Sequence, residues 1–143
     1  MEDIYRNLQR IYVLLDDGDR RALREVGLSA SHHNLLRLLG TDSDEGRSVS
    51  ELARVLLCTR GNVTRLVQRL AEAGLVTTGP GPADLRLVRV HLTRLGQKRL
   101  AAADAVLQEA NRRRFSGLSA RELAQLRELT SDLVDQLIKD RDG

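Results

Sequence analysis

The stretch from Ser48 to Thr93 constrains the chain more than any other. It opens on Ser48-Val49-Ser50-Glu51, which has the form of a capping box. In that arrangement Ser48 accepts from the backbone N–H of Glu51, and the Glu51 carboxylate reaches back to the N–H of Ser48. The spacing predicts a helix from Val49 to about Leu56, with Leu52, Ala53 and Leu56 facing inward. Leu57-Cys58 is a tight turn, and Thr59 caps a second helix running to Ala73. Val63, Leu66, Val67 and Leu70 recur on it at i, i+3, i+4 and i+7, a buried stripe. Gly74 ends that helix. Leu75–Thr78 and Leu87–Leu92 then have strand composition, joined by the turn-rich segment GPGPADLR, Gly79 to Arg86. Helix, tight turn, helix and hairpin in that order form a helix-turn-helix with a wing.

With the apolar stripe inward, the opposite face of the second of these helices carries Arg60, Gly61, Asn62, Thr64, Arg65, Gln68 and Arg69. Arginine, asparagine and glutamine make paired hydrogen bonds to base edges, and threonine contacts a thymine methyl. Their crowding toward the helix N-terminus suits a helix that enters the major groove of double-stranded DNA by its first turns. An arginine on the hairpin tip, Arg86, would reach the minor groove, and Asp84 could orient it by a charge-assisted hydrogen bond. Ser48 and Thr59, at the two helix starts, complete the candidate DNA-contacting set. The charge distribution agrees. Seven arginines stand against two acids between Arg54 and Arg94, a net +5 in a chain of net +3, so the remainder is net −2. A phosphate backbone rewards positive charge placed there. A basic, solvated outer face with no ligand is the competing explanation of the same residues.

Apolar stripes at both ends of the chain need covering. Ile4, Leu8, Ile11 and Leu15, flanked by Tyr5 and Tyr12, predict an amphipathic helix from about Asp3 to Val26, weakened at Gly18 and stopped at Gly27. Ser29 or Ser31 caps a helix over His32–Leu39. The acidic segment Gly40–Arg47 is a loop. Thr93 caps a helix through Leu95, Leu100, Leu107 and Ala110 to about Arg114. A second capping box, Ser119-Ala120-Arg121-Glu122, starts a last helix with Leu123, Leu126, Leu129, Leu133, Leu137 and Ile138 in its stripe. One small winged domain cannot cover both stripes. Mutual burial in a twofold homodimer is the simplest solution, through Ile4, Leu8, Ile11, Leu126, Leu129, Leu133 and Leu137.

The expected fold class is therefore mainly α (α+β), one domain over 1–143. Residues 28–93 form the DNA-binding winged helix-turn-helix, and 1–27 with 94–143 form dimerisation helices. Aromatic residues are 2% of the chain, which argues against stacking platforms for single strands. Cys58 is the lone cysteine, so no intrachain disulfide is expected and a reducing cytoplasm is the default compartment. The first ten residues lack the apolar segment of a signal peptide, and no apolar run approaches the roughly 18 residues that span a bilayer. No phosphate-cradling glycine motif and no nucleophile with base and orienter stands out, so an enzyme is not expected, nor any cofactor. His32 and His33 are adjacent and diverge on a helix, poor spacing for one metal ion, so no metal site is expected.

These elements together resemble the MarR family of bacterial transcription regulators. The matching residues are Leu28-Ser29, Ser50-Glu51-Leu52-Ala53, Val63-Thr64-Arg65-Leu66-Val67 with Leu70, and Gly74-Leu75-Val76. The wing matches through Asp84-x-Arg86, Val90-x-Leu92-Thr93 and Gly96. The resemblance covers nearly the whole chain. It implies a homodimer on a pseudo-palindromic operator, usually a repressor released by a small molecule or by oxidation, with Thr59–Arg69 reading bases and Arg86 probing the minor groove. Tyr12, His33 and Leu36 are the candidates for an effector pocket. Leu57 stands where relatives often have glycine, which suggests a different backbone conformation at the turn, and Gly61 replaces a usual small polar residue. Two alternatives stand beside this reading. One is a winged-helix dimer that works mainly as a protein-interaction scaffold. The other is a thiol-based redox-sensing regulator acting through Cys58, although oxidation-sensing relatives carry their cysteine in the first helix. A free cysteine in an apolar turn is otherwise a small buried hydrophobe.

Overall fold

A computed structural model describes residues 1–40, 45–81 and 88–143. Among these the helices are α1 (Glu2–Arg24), α2 (Ala30–Gly40), α3 (Val49–Leu56), α4 (Arg60–Glu72), α5 (Arg94–Arg114) and α6 (Ala120–Asp142). Strands β1 (Arg47–Ser48), β2 (Val76–Pro80) and β3 (Val88–Leu92) form one antiparallel sheet in the order β1-β3-β2. The chain divides into two compact units, Met1–Gln108 and Glu109–Gly143.

The hydrophobic core of the first unit is aliphatic. Leu35 and Leu36 of α2, Leu52 of α3, Val63 of α4 and Val90 of β3 have no exposed surface, and Leu23, Leu70 and Leu75 are nearly as enclosed. The predicted inner stripe of α4 is therefore the buried one, with Leu66 at its margin. Helix α5 joins this core at Leu100, Ala103 and Leu107, the i, i+3, i+7 positions of one face. Gly96, one turn earlier, lies against the chain at Leu75, where a Cβ would stand 2.0 Å from the carbonyl oxygen.

Three helices end in the same way. After α1, α3 and α4 the sixth residue of the exit donates back to the first: Leu28 to Leu23, Cys58 to Ala53 and Leu75 to Leu70. This is the Schellman pattern, which requires a left-handed residue at its fifth position. Gly27 and Gly74 supply it at φ 69° and 76°. Leu57 supplies it at φ 53°, ψ 43°. The expectation that leucine would impose another conformation is thus corrected. The turn keeps the left-handed exit, and the side chain is left 68% exposed.

Helix α1 runs unbroken through Gly18, as the expected span requires. Two further sequence expectations change. The hairpin is not alone, because Arg47 and Ser48 pair with Val90 and Arg89 and add a third strand. Ser48 does accept from Glu51 N, at 3.1 Å. The reciprocal half of that capping box is replaced, since the Glu51 carboxylate takes Arg89 Nη1 at 3.4 Å. Helix α2 is capped by Ser29, whose hydroxyl accepts from His32 N at 3.1 Å.

In the second unit, α6 begins with a complete capping box between Ser119 and Glu122. The Ser119 N–H and hydroxyl hold the Glu122 carboxyl below its ordinary pKa. Leu126, Leu129 and Leu137 are exposed along α6 and Leu133 is half-buried. On α1, Ile4, Leu8 and Ile11 are exposed as well. Among the described residues no helix is long and apolar enough to cross a membrane.

Candidate nucleic-acid interface

Helix α4 is fixed from three sides. Its stripe is anchored in the core, its N-terminus is capped by the Thr59 hydroxyl accepting from Asn62 N at 3.2 Å, and its exit is locked by Gly74. What it turns outward is Arg60, Gly61, Asn62, Thr64, Arg65, Gln68 and Arg69, every one of them exposed. The sequence-derived reading face is thus brought together on one surface of one rigid helix.

Within that face the side chains differ in what they have left to offer. Thr64 spends its hydroxyl on the Arg60 carbonyl at 2.9 Å, so its methyl is the part free for a thymine. The Asn62 carboxamide oxygen accepts from Arg65 Nη2. The cap hydroxyls of Ser48 and Thr59 accept from backbone N–H groups, and each retains its own O–H to donate to a phosphate oxygen. Asp84 and Arg86, on the wing, lie outside the described residues.

A concavity of about 400 Å³ adjoins the same helix. Asn62, Arg65, Leu66 and Arg69 form one wall, Leu56 and Cys58 the floor of the turn, and Ser31 and Asn34 of α2 the other wall. From sequence, Ser31 is named only as a possible helix cap and Asn34 not at all. Their signal was spacing, three residues apart on the polar side of α2, but nothing local ties them to α4. Cys58 is a free, half-buried thiol that packs its inner side on the core. His32, next to this wall, has its pKa lowered, first by burial and then by the positive charge of Arg69.

Arg89 was counted only as part of a basic stretch. In the structure its guanidinium is drawn back to the Gly46 carbonyl at 3.3 Å and to Glu51, tying β3 to α3. The three effector-pocket candidates occupy different settings. Tyr12 is 70% exposed on α1, whereas Leu36 is fully enclosed and offers no surface to a ligand. The buried His33 ring places Nε2 3.3 Å from Asp104 Oδ1 of α5. Among the described residues no group of three or more histidine, cysteine and acidic side chains is placed to hold a metal ion.

Comparison with known proteins agrees with this geometry. Residues 26–87 match the MarR family profile. The chain is 32% identical over 107 residues to the uncharacterized HTH-type transcriptional regulator YpoP of Bacillus subtilis, covering 74% of each protein. It is 27% identical over 119 residues to the HTH-type transcriptional repressor IacR of Pseudomonas putida, covering 83% of this chain and 70% of that one. Its structure superposes on CouR from Rhodococcus jostii RHA1, crystallised with p-coumaroyl-CoA, with a TM-score of 0.78 and 25% identity. That match covers 92% of this chain and 91% of CouR. On the profile match, the identity to YpoP and the shared architecture, the chain belongs to the MarR family of winged helix-turn-helix transcriptional regulators.

Proposed function

We propose that the protein is a homodimeric, sequence-specific regulator that binds a pseudo-palindromic double-stranded operator, represses from it, and releases it when a small molecule binds. The observation that carries this is the outer face of α4. Arg60, Asn62, Thr64, Arg65, Gln68 and Arg69 are exposed together on a helix whose other side is locked into the core. A helix so held presents these groups from a backbone that needs no further ordering on binding. The exposed leucines and isoleucines of α1 and of α6 support a second copy as the partner, because large apolar side chains at such spacing are seldom left in water. In a dimer on B-DNA the two reading helices would sit about one helical turn apart, roughly 34 Å. The repressor assignment follows the name of IacR, and the small-molecule effector follows the acyl-CoA held by CouR.

Selection of bound duplexes from a random pool tests the reading. The expected product is a twofold-symmetric motif, with affinity whose logarithm falls linearly with the logarithm of salt, by about 0.9 per phosphate neutralised. Recovery of no motif, together with binding that is indifferent to salt, would leave a protein-interaction scaffold as the better account.

A further inference from the structure

The contact between Asn62 and Arg65 assigns the two residues different duties on the reading face. An arginine side chain carries only donors, so the asparagine atom that faces it must be the carboxamide oxygen. Asparagine recognises adenine by presenting that oxygen and its NH2 together to one base edge. In Asn62 the oxygen is already turned along the helix toward Arg65, one turn on. Thr64, on the far side of Arg65, donates its hydroxyl proton to the Arg60 carbonyl instead.

We propose that Asn62 is a positioning residue, and that the Asn62–Arg65 pair reads a guanine. Arg65 has five N–H donors in a planar fork. One is held by Asn62, and a two-donor edge remains free for the O6 and N7 acceptors that guanine alone presents in the major groove. Holding the guanidinium beforehand removes rotamer freedom that would otherwise be lost on binding. This assignment rests on the DNA-binding role proposed above and specifies the base class read by one residue of it.

Base preferences at every position, measured by selection from a random duplex pool for wild type, Arg65→Ala, Asn62→Ala and Asn62→Asp, test it. Arg65→Ala should flatten one guanine position in each half-site. Asn62→Ala should weaken the same position, by about fivefold to tenfold, and leave the others unchanged. Asn62→Asp keeps the acceptor oxygen. It should retain the guanine preference while lowering affinity for all sequences, because it adds a negative charge near phosphate. If Asn62→Ala relaxes a different position, Asn62 reads its own base and the proposal is wrong. If the position lost in Arg65→Ala is not guanine, or Asn62→Asp loses the preference as fully as Asn62→Ala, it is equally wrong. Selection of no motif by the wild-type protein would remove the DNA-binding role itself, and this assignment with it.

Discussion

The Thr93 hydroxyl donates to the Gly74 carbonyl at 2.6 Å and accepts from Gly96 N at 2.9 Å. One oxygen thereby caps α5 and fastens it to the residue that ends α4. The Thr93 N–H adds a bond to the Leu75 carbonyl at 3.1 Å, so the seam holds on both sides. Thr93→Val keeps the shape and removes the hydroxyl, leaving a helix-start N–H and a carbonyl without their partner. The expected loss is about 1–2 kcal/mol of stability, read from the midpoint of urea unfolding. A midpoint equal to that of wild type would mean that water replaces the hydroxyl at no cost.

Gly96 completes the same seam by having no side chain. An alanine Cβ would sit 2.0 Å from the Leu75 carbonyl oxygen, a backbone atom with little room to retreat. Gly96→Ala should therefore cost about 3 kcal/mol, the upper end for overpacking, even though alanine is the better helix former. An alanine variant as stable as wild type would show that α5 can move away from the α4 exit freely.

At the turn before α4 the opposite change should help. Leu57 is left-handed at φ 53°, a conformation that costs a residue with a Cβ about 1–2 kcal/mol. Its side chain is 68% exposed, so little burial is lost on removing it. Against this stands the greater freedom of glycine in the unfolded chain, about 0.5–1 kcal/mol. Leu57→Gly should thus raise stability by roughly 0.5–1 kcal/mol. A lowered unfolding midpoint would mean that the leucine side chain makes up its own strain.

Most of this architecture was legible because caps and stripes are local. Ser48, Thr59 and Ser119 each mark a helix start, and Val63, Val67 and Leu70 mark the inner side of α4 well enough to imply its outer side. What escaped is set by residues distant in sequence. Strand β1 is two residues long and has no period to read, so only its pairing with β3 defines it. Glu51 fits a capping box, yet Arg89, 38 positions later, claims its carboxylate. Ser31 and Asn34 acquire meaning only when α2 is laid beside α4. His33 could be a pocket residue by sequence, and its burial beside Asp104 depends on where α5 returns.

His32 sets a dependence on pH. Its folded-state pKa lies below the usual 6.5, because burial and the nearby Arg69 both disfavour the imidazolium. Well above pH 6.5 the ring is neutral in folded and unfolded chains and contributes nothing. As pH falls through 6.5 the unfolded chain binds the proton first, so stability is lost on acidification until the folded ring also protonates. His32→Gln should make unfolding free energy fall less between pH 7.5 and 5.5 than in wild type. Denaturation curves at both pH values check this, and parallel losses in the two proteins would place the sensitivity elsewhere.

Gly61 separates stability from binding. It stands at the second position of α4, exposed, and a Cβ built there would meet nothing nearer than the Thr59 hydroxyl oxygen at 4.0 Å. The fold therefore has no need of glycine here, and Gly61→Ala should gain about 0.5–1 kcal/mol of stability from helix propensity and a stiffer unfolded chain. The first turn of α4 is also where the reading helix would come nearest to DNA, and a missing Cβ lets backbone approach a ligand closely. The same variant should consequently bind the selected operator more weakly, about tenfold for one displaced contact. Unfolding and duplex titration on one preparation give both quantities. A variant that is more stable and binds unchanged would put the closest approach of DNA further along the helix, toward Arg65 and Gln68.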